Sequence, residues 1–169
     1  MEKNEVERLY DTYASRLYGF LLTLVKDEPL ARDLLQDVFV KVARSEDFLE
    51  GVVEERPFLF RVARNTALDF MRKRAVRNRV RRDLAASVDL FARTEDPDSS
   101  EFRSRLSEAL AALPEEQRSV VFLRLWGGET VDGIAGICGV SANTAASRYR
   151  YGIDKMRKQL RSFYEEIST

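Results

Sequence analysis

Apolar residues recur every three or four positions through the first half of the chain, which is the spacing of one face of an α-helix. This stripe predicts a first helix from about Val6 to Lys26. Pro29 fits the first turn of a second helix, which we expect to end near Arg44. Pro57 is expected to open a third helix, whose predicted apolar side consists of Phe58, Leu59, Val62, Ala63, Thr66 and Phe70.

The helical spacing stops at residue 83 and resumes after residue 101. The intervening stretch is rich in serine and acidic residues and contains Pro97, which favours a flexible linker. The pattern predicts an all-α protein of two small helical domains joined by an acidic flexible linker. A three- to four-helix bundle would occupy residues 1–82, the linker residues 83–101, and a helix-turn-helix domain residues 102–169.

Residues 131–150, VDGIAGICGVSANTAASRYR, have the pattern of a helix-turn-helix motif. The expected apolar stripe of its first helix is Ile134, Ala135 and Cys138. Thr130 is expected to cap this helix, Gly139 to supply the left-handed backbone of the turn, and Ser141 to cap a second helix over residues 142–163. A helix of this kind can enter a major groove with its N-terminus first. The motif therefore predicts DNA binding.

Three glycines lie inside predicted helices of the second half, namely Gly133, Gly136 and Gly152. A glycine in a helix costs about 1 kcal/mol relative to alanine. The pattern alone therefore predicts a marginally stable C-terminal domain. It also predicts that Gly152→Ala raises the melting temperature of that domain.

Basic and acidic side chains are equal in number, 28 of each, but they are unevenly distributed. Residues 56–82 contain ten basic residues against Asp69 alone, and residues 148–169 carry a net charge of +3. Residues 1–55 carry −6, and residues 83–101 carry −5. Association with a polyanion depends on the local field, so the two positive zones favour nucleic acid as a partner.

Several residue types needed for other functions are missing from the sequence. It contains no histidine and one cysteine, Cys138, which excludes an internal disulfide and removes the usual zinc ligands and general bases. We expect Cys138 in the core, and we expect no enzymatic activity, metal or cofactor. The charged N-terminus and the lack of an apolar run of about 18 residues predict a cytoplasmic protein without membrane insertion.

Three segments, in this order and spacing, resemble extracytoplasmic-function (ECF) RNA polymerase sigma factors of the sigma-70 family. They are LARDLLQDVFVKVAR, PFLFRVARNTALDFMRKR and ALAALPEEQRSVVFLRLWGGETVDGIAGICGVSANTAASRYRYGIDKMRKQL. The resemblance covers nearly the whole chain. It implies an alternative sigma factor, with region 2 in residues 1–82 and region 4 in residues 102–169. Such a factor binds core RNA polymerase and directs it to promoters through their −10 and −35 elements.

The resemblance implies that the second helix docks on the clamp helices of the polymerase β′ subunit, with the β subunit as a further contact. The matching residues are Asp33, Leu34, Leu35, Gln36, Asp37, Phe39 and Lys41. Acidic and apolar side chains at i and i+4 give a mixed docking face. The alternative interpretation is that Asp33 and Asp37 are only the solvated side of a core helix.

The third helix matches the helix that engages and melts the −10 element. The matching residues are Phe58, Arg61, Arg64, Asn65, Asp69, Arg72 and Arg74. Arginines suit phosphates, and Asn65 and Asp69 can hydrogen-bond to base edges. Phe58 and Phe60 can stack on unpaired bases, although a core role is the simpler interpretation for each.

In the family the preceding loop, here residues 45–56, shapes a pocket for a flipped base. The alternative interpretation of the basic C-terminal end of the third helix is that its charges only keep the protein soluble.

The start of the last helix matches the positions that face the −35 element. The matching residues are Asn143, Thr144, Ser147, Arg148, Arg150 and Tyr151. Either Arg148 or Arg150 can bind a guanine edge with two hydrogen bonds, and Thr144 and Ser147 suit phosphates or bases. Tyr149 and Tyr151 are as well suited to packing as to DNA contact.

A dimeric helix-turn-helix regulator that does not bind polymerase is the alternative function. It leaves the third helix unexplained, and the sequence shows no separate dimerisation segment or ligand pocket. The resemblance to ECF factors further implies an anti-sigma protein as a partner.

Overall fold

The computed structural model describes residues 3–45, 52, 54–77 and 97–167. These ranges contain seven α-helices and no strand, as the all-α prediction requires. The helices are α1 (Lys3–Val25), α2 (Glu28–Arg44), α3 (Glu55–Arg77), α4 (Pro97–Ala111), α5 (Glu115–Leu125), α6 (Val131–Cys138) and α7 (Ala142–Ile167). Most of the loop predicted over residues 45–56 lies outside the described residues, as do Arg79, Arg81 and Arg82.

Local sequence signals account for the helix ends of the first half, α1 to α3. The side chain of Asp27 accepts a hydrogen bond from the backbone N–H of Leu30 at 2.9 Å and so caps α2. Pro29 lies in the first turn of this helix, and Arg44 is its last residue, as predicted. Helix α3 begins at Glu55, two residues before the predicted start at Pro57.

The predicted linker over residues 83–101 is wrong at its C-terminal end, because α4 begins at Pro97. Proline is well suited to the first turn of a helix, and the following acid and serines favour a helix N-terminus. The same residue types also favour loops, so composition alone placed them in the linker. Residues 83–96 lie outside the described part of the chain.

The core of the first half lies between α1, α2 and α3. Phe60 packs edge-on against Phe20 with ring centroids 5.4 Å apart, so its core role is confirmed. Phe70, predicted on the apolar side of α3, is instead 36% exposed. At the start of α3, the Arg8 guanidinium and the Tyr13 hydroxyl both donate hydrogen bonds to Glu55, and that of Arg8 contributes most to holding the pKa of Glu55 below its usual value.

The helix-turn-helix motif of the second half, α4 to α7, has the predicted geometry. Ile134, Ala135 and Cys138 are buried. Thr130 Oγ1 accepts a hydrogen bond from the backbone N–H of Gly133, and Ser141 Oγ accepts one from the backbone N–H of Thr144. Gly139 has φ 67° and ψ 37°, the left-handed conformation that the turn requires.

The two halves pack directly against each other, α1 against α5 and α3 against α6. The rings of Phe20 and Phe122 stack with centroids 5.8 Å apart, and buried residues of both halves form one continuous hydrophobic cluster. The Phe122 ring lies only 3.2 Å from the position of a Cβ at Gly19, so a side chain there would push against it. Glycine at this position lets α1 and α5 approach closely.

We expect Gly152→Ala to lower the stability of the second half, which reverses the sign that the helix pattern alone predicts. Gly152 is buried, and a Cβ there would lie 2.7 Å from Cγ2 of Val121, itself fully buried in α5. Such overpacking typically costs about 1–3 kcal/mol. Thermal unfolding followed by circular dichroism should show a lower melting temperature.

Gly136→Ala is the matched control for this prediction. Gly136 is exposed in α6, and no atom lies within 4 Å of a Cβ at this position. Alanine should therefore stabilise the helix by about 1 kcal/mol. A rise in melting temperature for both variants would contradict the close approach of α7 and α5 at Gly152.

Candidate nucleic-acid and polymerase interfaces

The residues of α2 predicted to dock on polymerase separate into an exposed and a buried group. The exposed group is Asp33, Gln36, Asp37 and Lys41. The buried group is Leu34, Leu35 and Phe39. Lys41 Nζ donates a hydrogen bond to Thr66 Oγ1 of α3 at 3.0 Å, so it also fastens α2 to α3. A partner could therefore bind Asp33, Gln36 and Asp37 directly, whereas binding Lys41 would break its hydrogen bond to Thr66.

Two apolar residues that the sequence did not indicate lie near this exposed face. Tyr10 of α1 is 48% exposed, and its ring packs against that of Phe39 with centroids 4.9 Å apart. Val40 is 44% exposed and follows Asp37 by three positions on α2, so the two share a face. The exposed face of α2 therefore combines carboxylates with apolar surface.

One face of α3 is polar and exposed along its length. Arg61, Asn65, Asp69 and Arg72 are exposed at spacings of three or four residues, and Arg74 is exposed near the C-terminal end. Phe58 is half-buried, with the Arg61 guanidinium 5.2 Å from its ring centroid. The structure thus brings together six of the seven residues that the resemblance assigns to the −10 element.

Arg64, the seventh residue, has a different environment. It is half-buried, and its Nε is buried without a hydrogen-bond partner among the described residues. Burial raises the pKa of the Cys138 thiol in α6, and the charge of Arg64 opposes part of that rise. Arg64 belongs to α3, the helix of the first half that packs against α6 of the second.

The first turns of α7 present a mixed surface. Asn143, Arg150 and Tyr151 are exposed, and the Arg150 guanidinium lies 5.3 Å from the Tyr151 ring centroid. Thr144 and Ser147 are half-buried.

Arg148 and Tyr149, in the same turns, are less accessible. Arg148 is half-buried, and its Nη2 lies 3.7 Å from Oε2 of Glu116 in α5. Tyr149 packs against the core. Of the two arginines proposed for a guanine, Arg150 is therefore the more accessible.

Within the described ranges, no cluster of three or more potential metal ligands occurs. No helix in the described part of the chain is long and apolar enough to cross a membrane.

Comparisons with known families match both halves of the chain. Residues 9–77 match the family model of sigma-70 region 2, and residues 103–156 match that of sigma-70 region 4. The all-α fold and these two matches define a protein of the sigma-70 class.

Individual relatives narrow the class further. The ECF RNA polymerase sigma factor SigX of Bacillus subtilis is 31% identical over 170 residues, covering 94% of this chain and 85% of the relative. The RNA polymerase sigma factor CarQ of Myxococcus xanthus is 31% identical over 172 residues, covering 96% and 92%. The chain belongs to the ECF sigma factors. It is an alternative sigma factor that directs RNA polymerase to promoters, which decides against the polymerase-independent regulator.

Solved structures show the same fold. The sigma factor RpoE of Bartonella quintana, crystallised with the anti-sigma factor NepR, matches with a TM-score of 0.80 at 23% identity, covering 93% of this chain and 97% of that one. CnrH, in complex with the cytosolic domain of CnrY, matches with a TM-score of 0.70 at 19% identity, covering 95% and 90%.

Proposed function

We propose that α2 binds core polymerase, that α3 engages the −10 element, and that the start of α7 engages the −35 element. The observation that carries this proposal is the exposed face of α3, where cationic and hydrogen-bonding side chains alternate. Region 2 is used here for α1 to α3, and region 4 for α4 to α7.

The polymerase contact would be made by the exposed polar group of α2. Asp33, Gln36 and Asp37 would meet the β′ clamp helices, with Val40 adding apolar contact area. Leu34, Leu35 and Phe39 would support this face from the core rather than touch the polymerase. Opposite charges across such an interface favour a cationic partner surface and speed association. Region 4 would make the second contact, with the β subunit.

On α3 the residues divide by chemistry. Arg61, Arg72 and Arg74 suit phosphates, whereas Asn65 and Asp69 can hydrogen-bond to exposed base edges. Stacking of an unpaired base on Phe58 would add to the energy that opens the strands, since unstacking a base costs a few kcal/mol. Arg64 is half-buried and would join this set only after its side chain becomes exposed. Strand opening of this kind draws on binding energy, so we propose no enzymatic step, metal or cofactor.

On α7 the exposed residues Asn143, Arg150 and Tyr151 would face the −35 element. Thr144 and Ser147, in the same turns, are half-buried and suit the phosphate backbone. Arg148 would either keep its ion pair with Glu116 of α5 or break that pair and contact DNA instead. Ion pairs at such partly exposed positions are weak, so that exchange costs little.

We further propose an anti-sigma protein as a regulatory partner. RpoE, which shares this fold, was co-crystallised with the anti-sigma factor NepR, and CnrH, which also shares it, was solved in complex with the cytosolic domain of CnrY. Because core polymerase is its working partner, the chain is expected to act in the cytoplasm, and at the nucleoid when it is part of the holoenzyme.

Run-off transcription with purified core polymerase on a library of genomic fragments tests the proposed function. The chain should form a one-to-one complex with core polymerase and give transcripts whose start sites share an upstream sequence. A polymerase that starts RNA at the same positions with and without the chain would refute the proposal.

Substitutions at Asn65 and Arg150 should then separate the two elements. Asn65→Ala is expected to weaken recognition of the −10 element and Arg150→Ala that of the −35 element, each by about 5- to 150-fold, which is the range of a specific base contact. Arg148→Ala should have a smaller effect because Glu116 already holds that side chain. Equal loss on templates mutated in either element would mean that the residue contacts only phosphate.

A further inference from the structure

We propose that Tyr10 of α1 is the aromatic anchor of the polymerase-binding surface, which therefore extends from α2 onto α1. The inference rests on the proposed function, because it adds a residue of a second helix to the docking face of α2. The surface formed by Tyr10, Phe39 and Val40 is called the anchor patch below.

The anchor patch is apolar and open to solvent. Tyr10 is 48% exposed, although the preceding residue, Leu9, is completely buried, and Val40 is 44% exposed. Within the described residues of α1 and α2, Tyr10 and Val40 are the large hydrophobic side chains left at the surface. A single exposed apolar residue is ordinary on a protein surface, whereas a contiguous apolar patch is typical of an interaction site.

Phe39 connects the two exposed side chains. Its ring packs against that of Tyr10 with centroids 4.9 Å apart and an angle of 60° between the ring planes. Phe39 precedes Val40 in α2 and is itself only 7% exposed. Tyr10 therefore has a partner on its own chain and still leaves nearly half of its surface to solvent.

This packing prepares Tyr10 for binding. A side chain that is already ordered loses little rotational freedom when a partner binds, so more of its contact energy contributes to affinity. Tyrosine also offers a large contact area with only two side-chain torsions. It is among the residues that most often dominate the binding energy of an interface, where a ring of weaker contacts keeps water away from it.

Polar side chains surround the anchor patch. Glu7 is exposed on α1, one turn before Tyr10. Gln36 and Asp37 are exposed on α2, one turn before Val40. An apolar centre with a polar rim is the usual composition of a protein–protein interface. The acidic rim favours a partner that presents apolar side chains among cations.

Core polymerase fits this patch better than DNA or a second copy of the chain. Acidic side chains repel phosphates, so the rim disfavours nucleic acid. In a symmetric dimer the same surface would face itself, and acids would then oppose acids. Asp37, proposed above to meet the β′ clamp helices, lies on the same exposed face of α2 as Val40, so one partner can cover both.

Substitution of Tyr10 tests the anchor. Tyr10→Ala should weaken the binding of core polymerase by about 30-fold or more, which is the effect of losing a dominant interface residue. Tyr10→Phe keeps the aromatic ring and should match the wild type. The control is Phe70→Ala, which removes a 36% exposed ring from α3, a helix that the proposed polymerase contact does not use. This control should also match the wild type.

Binding kinetics separate an anchor from a residue that only supports the fold. Loss of a well-packed anchor raises the dissociation rate, whereas loss of a rim charge mainly slows association. Surface plasmon resonance of the full-length variants on immobilised core polymerase should show faster dissociation for Tyr10→Ala and a nearly unchanged association rate. A variant that only loses folded protein would bind in smaller amount and dissociate at the wild-type rate.

A second substitution keeps the test independent of folding. Circular dichroism establishes whether each variant keeps its helices, and Tyr10→Lys carries the test if Tyr10→Ala does not fold. The aliphatic part of a lysine can still lie on Phe39, while its charge would face a cationic partner. Tyr10→Lys should therefore weaken binding at least as much as Tyr10→Ala.

Hydroxyl-radical footprinting of the wild-type chain needs no substitution. Tyr10 should become protected when the full-length chain binds core polymerase without DNA. Tyr151 of α7 is similarly exposed in the free chain and should stay reactive in the same complex.

The other outcomes are distinct. Wild-type affinity for both Tyr10→Ala and Tyr10→Lys, or a Tyr10 that stays reactive in the complex, would overturn the anchor. Equal losses for Tyr10→Ala and Phe70→Ala would overturn it as well, because they would mean a general loss of stability. If replacement of Asp33 and Asp37 by lysine weakens binding while the Tyr10 variants do not, the α2 contact stands without α1. If none of these variants changes the affinity, the proposed polymerase contact of α2 fails too.

Discussion

Replacement of Asp33 and Asp37 by lysine should weaken binding of this sigma factor to core polymerase by at least about 100-fold. Both carboxylates are exposed one helical turn apart on α2, beside the exposed side chain of Val40. A surface complementary to them is cationic, and like charges brought together in an interface cost several kcal/mol. Titration of labelled core polymerase with the purified variant measures the loss.

The matched control reverses the charge of two acidic residues on a different helix. Glu101 and Glu108 are exposed on α4, and their replacement by lysine changes the net charge by the same amount. This control should bind polymerase like the wild type. Equal affinity for both variants and the wild type would show that Asp33 and Asp37 are only the solvated side of a core helix.

Features fixed by neighbouring residues could be predicted from the sequence. The end of α2 at Arg44, the caps at Thr130 and Ser141, and the left-handed turn at Gly139 all depend on side chains within about four positions. Helix periodicity is equally local, and it correctly gave the all-α fold and the buried face of α6. Family matches and relatives confirm the ECF class that the three motifs indicated.

Features that depend on distant residues could not be predicted in this way. In the sequence, Gly152 has the pattern of an ordinary helix position. Only the packing of α7 on α5 shows that the absence of a side chain at Gly152 makes room for Val121. Glu129 precedes a helix and resembles an acid that favours a helix N-terminus, yet its partner is Arg56, 73 positions away. Periodicity carries no information about such pairs, because it describes one helix at a time.

The assignment of site residues shows the same division. The sequence places Arg61, Asn65, Asp69 and Arg72 on one face of a helix, and the structure keeps them exposed there. The sequence does not distinguish Arg64, whose side chain is half-buried with Nε unpaired, or Leu34, which is buried in the core. Which exposed residues touch DNA or polymerase stays a prediction that the substitutions above test.

Affinity of the holoenzyme for promoter DNA is expected to fall about 1,000-fold or more between 50 and 200 mM salt, because neutralised phosphates release their counterions. Part of this dependence should come from the end of α3. Arg72 and Arg74 are exposed there, and Arg72 has only a loose contact with Asp69, at 3.8 Å. Replacement of both arginines by glutamine should reduce the slope of log K against log salt by about two, one for each lost phosphate contact.

Filter binding of holoenzyme at a series of salt concentrations measures this slope. The control removes two exposed arginines from α1 and α2, Arg16 and Arg32, with the same change of net charge. If α3 contacts the backbone, only the first pair changes the slope, because counterion release depends on local contacts rather than on the total charge. An equal change for both pairs would mean that the overall field of the protein, not the end of α3, sets the salt dependence. If neither double variant changes the slope, the basic C-terminal end of α3 does not contact DNA phosphates and only contributes to solubility.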